Sequence, residues 1–153
     1  MSAIERAIEQ MGSAFERPAE LARPAVEEWI AETEREQFDT EGAAGASGPW
    51  EPLAAKTVRL KSAEGYSPRI LERTGATRGA LTSLDGVRNL IEVSGDKIIF
   101  RLPAPASYHQ RGTGTMPARE VFAPSESQKA RLRERLRNTA VAELRRRGLP
   151  VKG

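Results

Sequence analysis

Apolar residues recur at helical spacing towards both ends of this chain and alternate near its middle. Ile4, Ile8, Met11 and Phe15 form one stripe, which predicts a helix over residues 2–16. Pro18 interrupts it, because a proline ring lacks the N–H donor and clashes with the preceding turn. A second helix is expected to run to about Phe38. Val26, Trp29, Ile30, Thr33 and Gln37 share a face of it, with Pro24 near its start or kinking it. Both stripes read as core packing or as faces that dock on a neighbouring subunit.

Residues 39–49 form a loop by composition, since Gly42, Gly45, Gly48 and Pro49 deny it a regular element. The loop lacks the G-K-[ST] ending of a phosphate-binding loop. Trp50 follows, a large ring whose indole N–H needs a partner once buried. Residues 54–61 are expected to make a helical turn or two, with Leu53, Thr57 and Leu60 in register. Gly65, Tyr66, Ser67 and Pro68 then break the chain. A further helix is predicted over 70–84, with Leu71 and Leu81 turned to the core. Trp50, Leu53, Leu71 and Leu81 are the expected core anchors.

Asp85-Gly86 marks a turn. Residues 90–94 and 97–102 read as strands, and Gly95-Asp96 between them predicts an antiparallel hairpin. Residues 103–118, with three prolines and two glycines, read as a long loop, and 119–123 as another short strand. The last helix carries the clearest signals. Ser125 and Gln128 have capping-box spacing, Leu132, Leu136, Ala140, Val141 and Leu144 form its stripe, and Gly148 and Pro150 end it. The sum is a single α+β domain over 1–153: N-terminal helices, a small central antiparallel sheet of about three or four strands, and a long C-terminal helix packed on that sheet.

Composition sharpens this picture at a few points. The chain has 153 residues, 39% apolar and 29% charged, enough for one domain with a core. No apolar run approaches the ~18 residues of a membrane span, and the first ten residues carry no apolar core of a secretory signal. Cysteine is absent, which removes disulfides and thiolate chemistry. The net charge is +3, unevenly spread: residues 1–41 carry −7, and residues 125–153 carry +6. Such asymmetry bears on partners rather than on fold.

Candidate chemistry is sparse. His109 is the sole histidine, so a Ser-His-Asp device would have to recruit Asp39, Asp85 or Asp96, and no serine has nucleophile-elbow spacing. No paired-histidine spacing points to a metal, and no catalytic, cofactor-binding or metal residue is expected. Glu27 with Glu28, and Glu32 with Glu36, read as a solvated helix face. The C-terminal arginines fan around their helix, and no aromatics interleave with them to make a stacking platform. Three readings stay open for them: a solvated face, pairing with the acidic N-terminal region within or between chains, and contact with a phosphate backbone.

The order of motifs resembles the phage virion morphogenesis family, the tail completion proteins of Mu-like tailed phages. The resemblance rests on Phe38, then Gly48-x-Trp50-x-Pro52-Leu53, Thr57 and Lys61, and Ile70-Leu71-x-x-Thr74-Gly75. It continues through the strand pair to Tyr108-His109-Gln110-x-Gly112 and Pro117-Ala118-Arg119, covering about residues 38–122. The chain departs from the pattern at Glu120 and Val121, where a proline would lead into the phenylalanine. It also departs in the longer step after Gly75, and in His109 directly following Tyr108. The resemblance implies a non-enzymatic subunit of an oligomeric ring in the neck of the virion, assembled in the bacterial host cytoplasm. Its neighbours would be the head–tail connector and the tail tube or terminator proteins, with packaged DNA within reach and no membrane. Tyr108, His109, Gln110, Gly112 and Arg119 are the expected subunit contacts. The alternative is a nucleic-acid-binding module using the C-terminal arginines.

Overall fold

Helix α1, Pro18–Asp39, is the spine on which most of the other elements pack. The computed structural model describes residues 15–151, and the helix expected over 2–16 falls outside them apart from its last two positions. Pro18 opens α1, where its missing N–H costs nothing, and Pro24 stays inside the helix at the loss of one ladder bond. Of the predicted stripe, Trp29, Ile30, Thr33 and Gln37 are buried and Val26 is half-buried; Phe38 is buried as well. The chain then turns through the glycine-rich loop. Gly42 adopts φ +92°, and a Cβ there would lie 2.6 Å from the Trp50 ring, so only glycine lets the loop close on the indole.

Short helices follow: α2, Ala55–Ala63; α3, Ala76–Thr82; and α4, Leu84–Leu90. The single helix predicted over 70–84 is therefore two, preceded by a turn. Gly75 sits in the left-handed region and starts α3. Ser83 is extended, and its Oγ accepts from Gly86 N at 3.0 Å, capping α4. The predicted Asp85-Gly86 turn is the first turn of that helix, where the Asp85 carboxylate suits the positive end of the dipole.

Strands β1, Ile91–Ser94, and β2, Lys97–Phe100, pair antiparallel with Ile91 opposite Phe100 and Ser94 opposite Lys97, as the hairpin signal predicts. Among the described residues the sheet has two strands, fewer than the three or four expected. The predicted loop 103–118 contains helix α5, Ala104–Arg111. Pro103 is its N-cap and Pro105 lies in its first turn, so prolines that read as breakers instead start a helix. Residues 119–123 form no strand; side chains satisfy their backbone groups instead.

Helix α6, Glu126–Arg146, begins with the expected capping box: Ser125 Oγ accepts from Gln128 N at 3.4 Å, and Gln128 Oε1 accepts from Ser125 N at 2.8 Å. It lies along α1 rather than across the sheet, touching the cluster that contains the strands mainly through Leu132. The fold class is α+β as expected, with the long C-terminal helix seated on helix rather than on sheet.

Two apolar clusters meet at Phe100. One gathers Phe38, Trp50, Ile70, Leu81, Ala106 and Val121; the other gathers Trp29, Ile30, Ala31, Val87 and Ile91. Edge-on aromatic pairs tie them. Phe38 meets Trp50 at 5.4 Å, Trp29 meets Phe122 at 6.0 Å, and Phe100 meets Phe122 at 5.0 Å between centroids.

Candidate interaction site

Three segments far apart in sequence converge beside the first cluster: residues 48–53, helix α5 and residues 117–122. Each carries one piece of the motif pattern. Trp50 Nε1 donates to Glu120 O at 2.9 Å, and Gln37 Nε2 donates to the same oxygen at 3.0 Å. Arg119 is buried, and its guanidinium donates to Glu51 O at 2.8 Å and Pro52 O at 3.2 Å. Its backbone N–H donates to His109 O at 2.8 Å. Gln110 brackets Phe122, donating to its carbonyl at 3.0 Å and accepting from its N–H at 2.9 Å. Gly112 ends α5 at φ +70°, where a Cβ would lie 2.7 Å from Ala118 N. These bonds do for 117–122 what a neighbouring strand would have done.

The residues expected at subunit contacts therefore divide. Gln110, Gly112 and Arg119 hold the chain's own segments together. Tyr108 is 57% exposed, and His109 lines a groove. Among the core anchors, Trp50 and Leu81 are buried. Leu53 and Leu71 are half-buried, packing against the first cluster from one side and lining the groove from the other. Leu71 holds φ +60°, a left-handed conformation unusual for a branched side chain, at the turn that sends Ile70 into the core.

The groove encloses about 460 Å³ between α2, the turn before α3, and α5. Leu53, Leu60, Leu71 and Pro105 give it apolar walls, and Thr57 and His109 add polar points. Leu60 is 53% exposed on its rim. Lys61 Nζ is tied to Arg69 O at 2.6 Å, and burial pulls its pKa down. Arg73 pairs with Glu64 at 2.9 Å and covers the Tyr66 ring at 4.6 Å. His109 Nδ1 is buried without a hydrogen bond. Burial, helped by the nearby Arg119 charge, lowers the pKa of His109 and keeps the ring neutral at neutral pH. Among the described residues no carboxylate hydrogen-bonds it, and Asp39 pairs with Arg78 and Asp85 with Arg88. Among the described residues no group of acids and histidine is placed to hold a metal.

A second polar assembly joins α1 to α6. Arg131 grips Glu36 with two bonds of 2.7 and 2.6 Å and reaches Glu32 at 3.4 Å. Arg135 pairs with Glu32 and approaches Glu28 at 3.8 Å. Gln128 Nε2 donates to Glu36 at 2.9 Å, and Trp29 Nε1 donates to Gln128 O at 2.7 Å. Of the three readings of the arginine helix, pairing within the chain accounts for Arg131 and Arg135. The acid pairs read as a solvated face are also more engaged than that. Glu27 is buried between Arg23 at 2.7 Å and Arg88 at 3.2 Å.

Glu34 escaped the sequence reading. It is fully buried, and neither carboxylate oxygen has a hydrogen-bond partner among the described residues. Burial pushes its pKa well above the usual carboxylate range. The signal was available: Glu34 lies four residues from both Ile30 and Phe38, on the buried face. Comparison with known protein families, characterised proteins and solved structures finds no match.

Proposed function

We propose that this chain is a structural subunit of a tailed phage or phage-like particle, completing the tail and joining it to the head as part of an oligomeric ring. The observation that carries the reading is the convergence of the motif segments. Trp50, His109, Gln110 and Arg119 are among the positions on which the family resemblance rests, and they form one bonded unit. That unit positions helix α5, which presents Tyr108 to the surface beside an apolar groove. Exposed aromatic and leucine side chains on a rigid support suit docking between proteins. The neighbours in this reading are further copies, the head–tail connector and the tail tube or terminator, in the neck of the virion.

Electron micrographs of particles made without the subunit test the proposal. Separate heads and tails are the expected result. Intact, joined particles would overturn it.

A second reading, a nucleic-acid-binding module, rests on Arg133, Arg137 and Arg145, which stay exposed on α6. DNA affinity measured across a salt series separates the two. A steep fall with salt favours the module, and negligible binding at moderate salt favours assembly.

A further inference from the structure

We infer that the groove between α2 and α5 receives residues 2–16 of a second copy of this chain, so that copies join head to tail through their N-terminal segments. The inference rests on the ring reading and names the surfaces that would form the ring contact.

The groove and the segment match in three respects. First, each has apolar surface to cover. Leu53, Leu60, Leu71 and Pro105 line the groove, and Leu60 is 53% exposed. Ile4, Ile8, Met11 and Phe15 form a stripe at helical spacing, about 16 Å long as a helix.

Second, the charges at the α2 edge are complementary, and the two carboxylates lining the groove, Glu64 and Glu72, are already paired with Arg73 and with Arg69 and Arg78. Glu5, Glu9 and Glu16 each follow a stripe residue by one position and so line one edge of it. Lys56 and Arg59 each precede a groove-facing residue of α2, Thr57 and Leu60, and line the matching edge. Both are exposed, and neither forms an ion pair among the described residues.

Third, the same chain's segment is tethered at the far end of α1 from its own groove. The turn that walls the groove is fixed to the C-terminal end of α1: Arg69 donates to Phe38 O at 2.7 Å, and Arg78 pairs with Asp39. The N-terminal segment leaves from the opposite end. The 22 residues of α1 separate the two by about 33 Å. Phe15 is joined to Pro18 by a stretch that spans about 10 Å at most. A segment from another copy has no such tether, which favours it as the occupant. One surface then meets a different one, which is the heterologous contact that closes rings or extends filaments.

The chain has no cysteine, so single introduced thiols report the contact cleanly. Met11→Cys protein mixed with Leu60→Cys protein under mild oxidation should give a crosslinked heterodimer in preference to either homodimer. In sedimentation equilibrium, Leu60→Glu should weaken self-association about tenfold or more, because it places a charge in the apolar contact. Leu60 is exposed in the single chain, so the fold tolerates the change. Lys56→Glu with Arg59→Glu should weaken it too, and Glu5→Lys with Glu9→Lys in the same chain should restore it. A chain that stays monomeric at every concentration overturns the inference, as does a mixture that gives no heterodimer. Self-association untouched by Leu60→Glu would also overturn it and yet leave the ring reading standing on another surface. The micrographs decide that reading separately.

Discussion

Two regions of this molecule hold distant segments together by different chemistry. Between α1 and α6 the work is done by charged pairs, Glu28, Glu32 and Glu36 against Arg131 and Arg135, with side chains about a third or more exposed. Around residues 50–53, 109–110 and 119–122 it is done by side chains bonding backbone carbonyls and N–H groups next to the apolar cluster. The first kind faces water, is screened by salt, and can be rearranged with little cost. The second leaves a buried donor or acceptor stranded when one partner is removed. The motif segments therefore behave as a rigid support, and the helix pair as an adjustable one.

The largest effect in this comparison belongs to Trp50. Trp50→Ala should cost about 3–5 kcal/mol, since it opens a cavity in the first cluster and frees Glu120 O of its indole donor. Trp50→Phe keeps much of the ring and should cost distinctly less, so urea unfolding of the two variants separates packing from the hydrogen bond. Gln110→Ala should follow at about 1–3 kcal/mol, because Phe122 loses partners for both its N–H and its carbonyl. Equal costs for Gln110→Ala and a surface substitution such as Arg137→Ala would dissolve the contrast between the two regions.

Glu34 belongs to neither region and sharpens the difference by its pH dependence. Its folded-state pKa is raised by burial, so the folded protein holds that proton more tightly than the unfolded chain. Stability from this group is fully present below the unfolded carboxylate pKa and falls as pH rises towards the folded one. Glu34→Gln removes that dependence. Thermal melts should show the variant gaining on the native chain as pH rises above the ordinary glutamate range. A gain that is flat with pH would mean Glu34 is ionised in the fold.

Much of the fold was legible where the signals are local. Ser125 and Gln128 cap α6 through bonds three residues apart, so the sequence contains the whole device. The hairpin turn at Gly95-Asp96 is equally self-contained. Reading failed where a local signal has two outcomes and a distant contact chooses. Pro103 and Pro105 suit a loop or the first turn of a helix, and burial of Ala106 in the first cluster settles it for α5. Asp85-Gly86 suits a turn or a helix start, and the Ser83 cap settles it for α4. Residues 119–123 read as a short strand, yet the side chains that bond their backbone come from Gln37, Trp50 and Gln110 and no strand among the described residues pairs with them. Tyr108 and His109 stood out as rare residue types. The groove did not, because Leu60, Leu71 and Pro105 meet only after three elements have packed.

The smallest effect expected is in the ion ladder, and it is the most diagnostic of that region. Hydrogen bonding from Arg131 holds the Glu36 carboxyl below its usual pKa, against a smaller opposing push from burial and with help from Gln128. A depressed carboxylate stabilises the fold above the unfolded pKa and ceases to do so as pH falls through the folded one. The pair's contribution should thus be present at pH 7 and be lost as pH falls below the ordinary glutamate range. The Glu36 side chain is 36% exposed and that of Arg131 40%, so water and salt screen the pair heavily. A double-mutant cycle on Glu36→Gln and Arg131→Met should return a coupling of about 0.2–1 kcal/mol at low salt, the range of exposed pairs. It should shrink further in molar salt. A coupling several times larger and indifferent to salt would place this pair with the buried staple, and the contrast between the two regions would then be one of position rather than of chemistry.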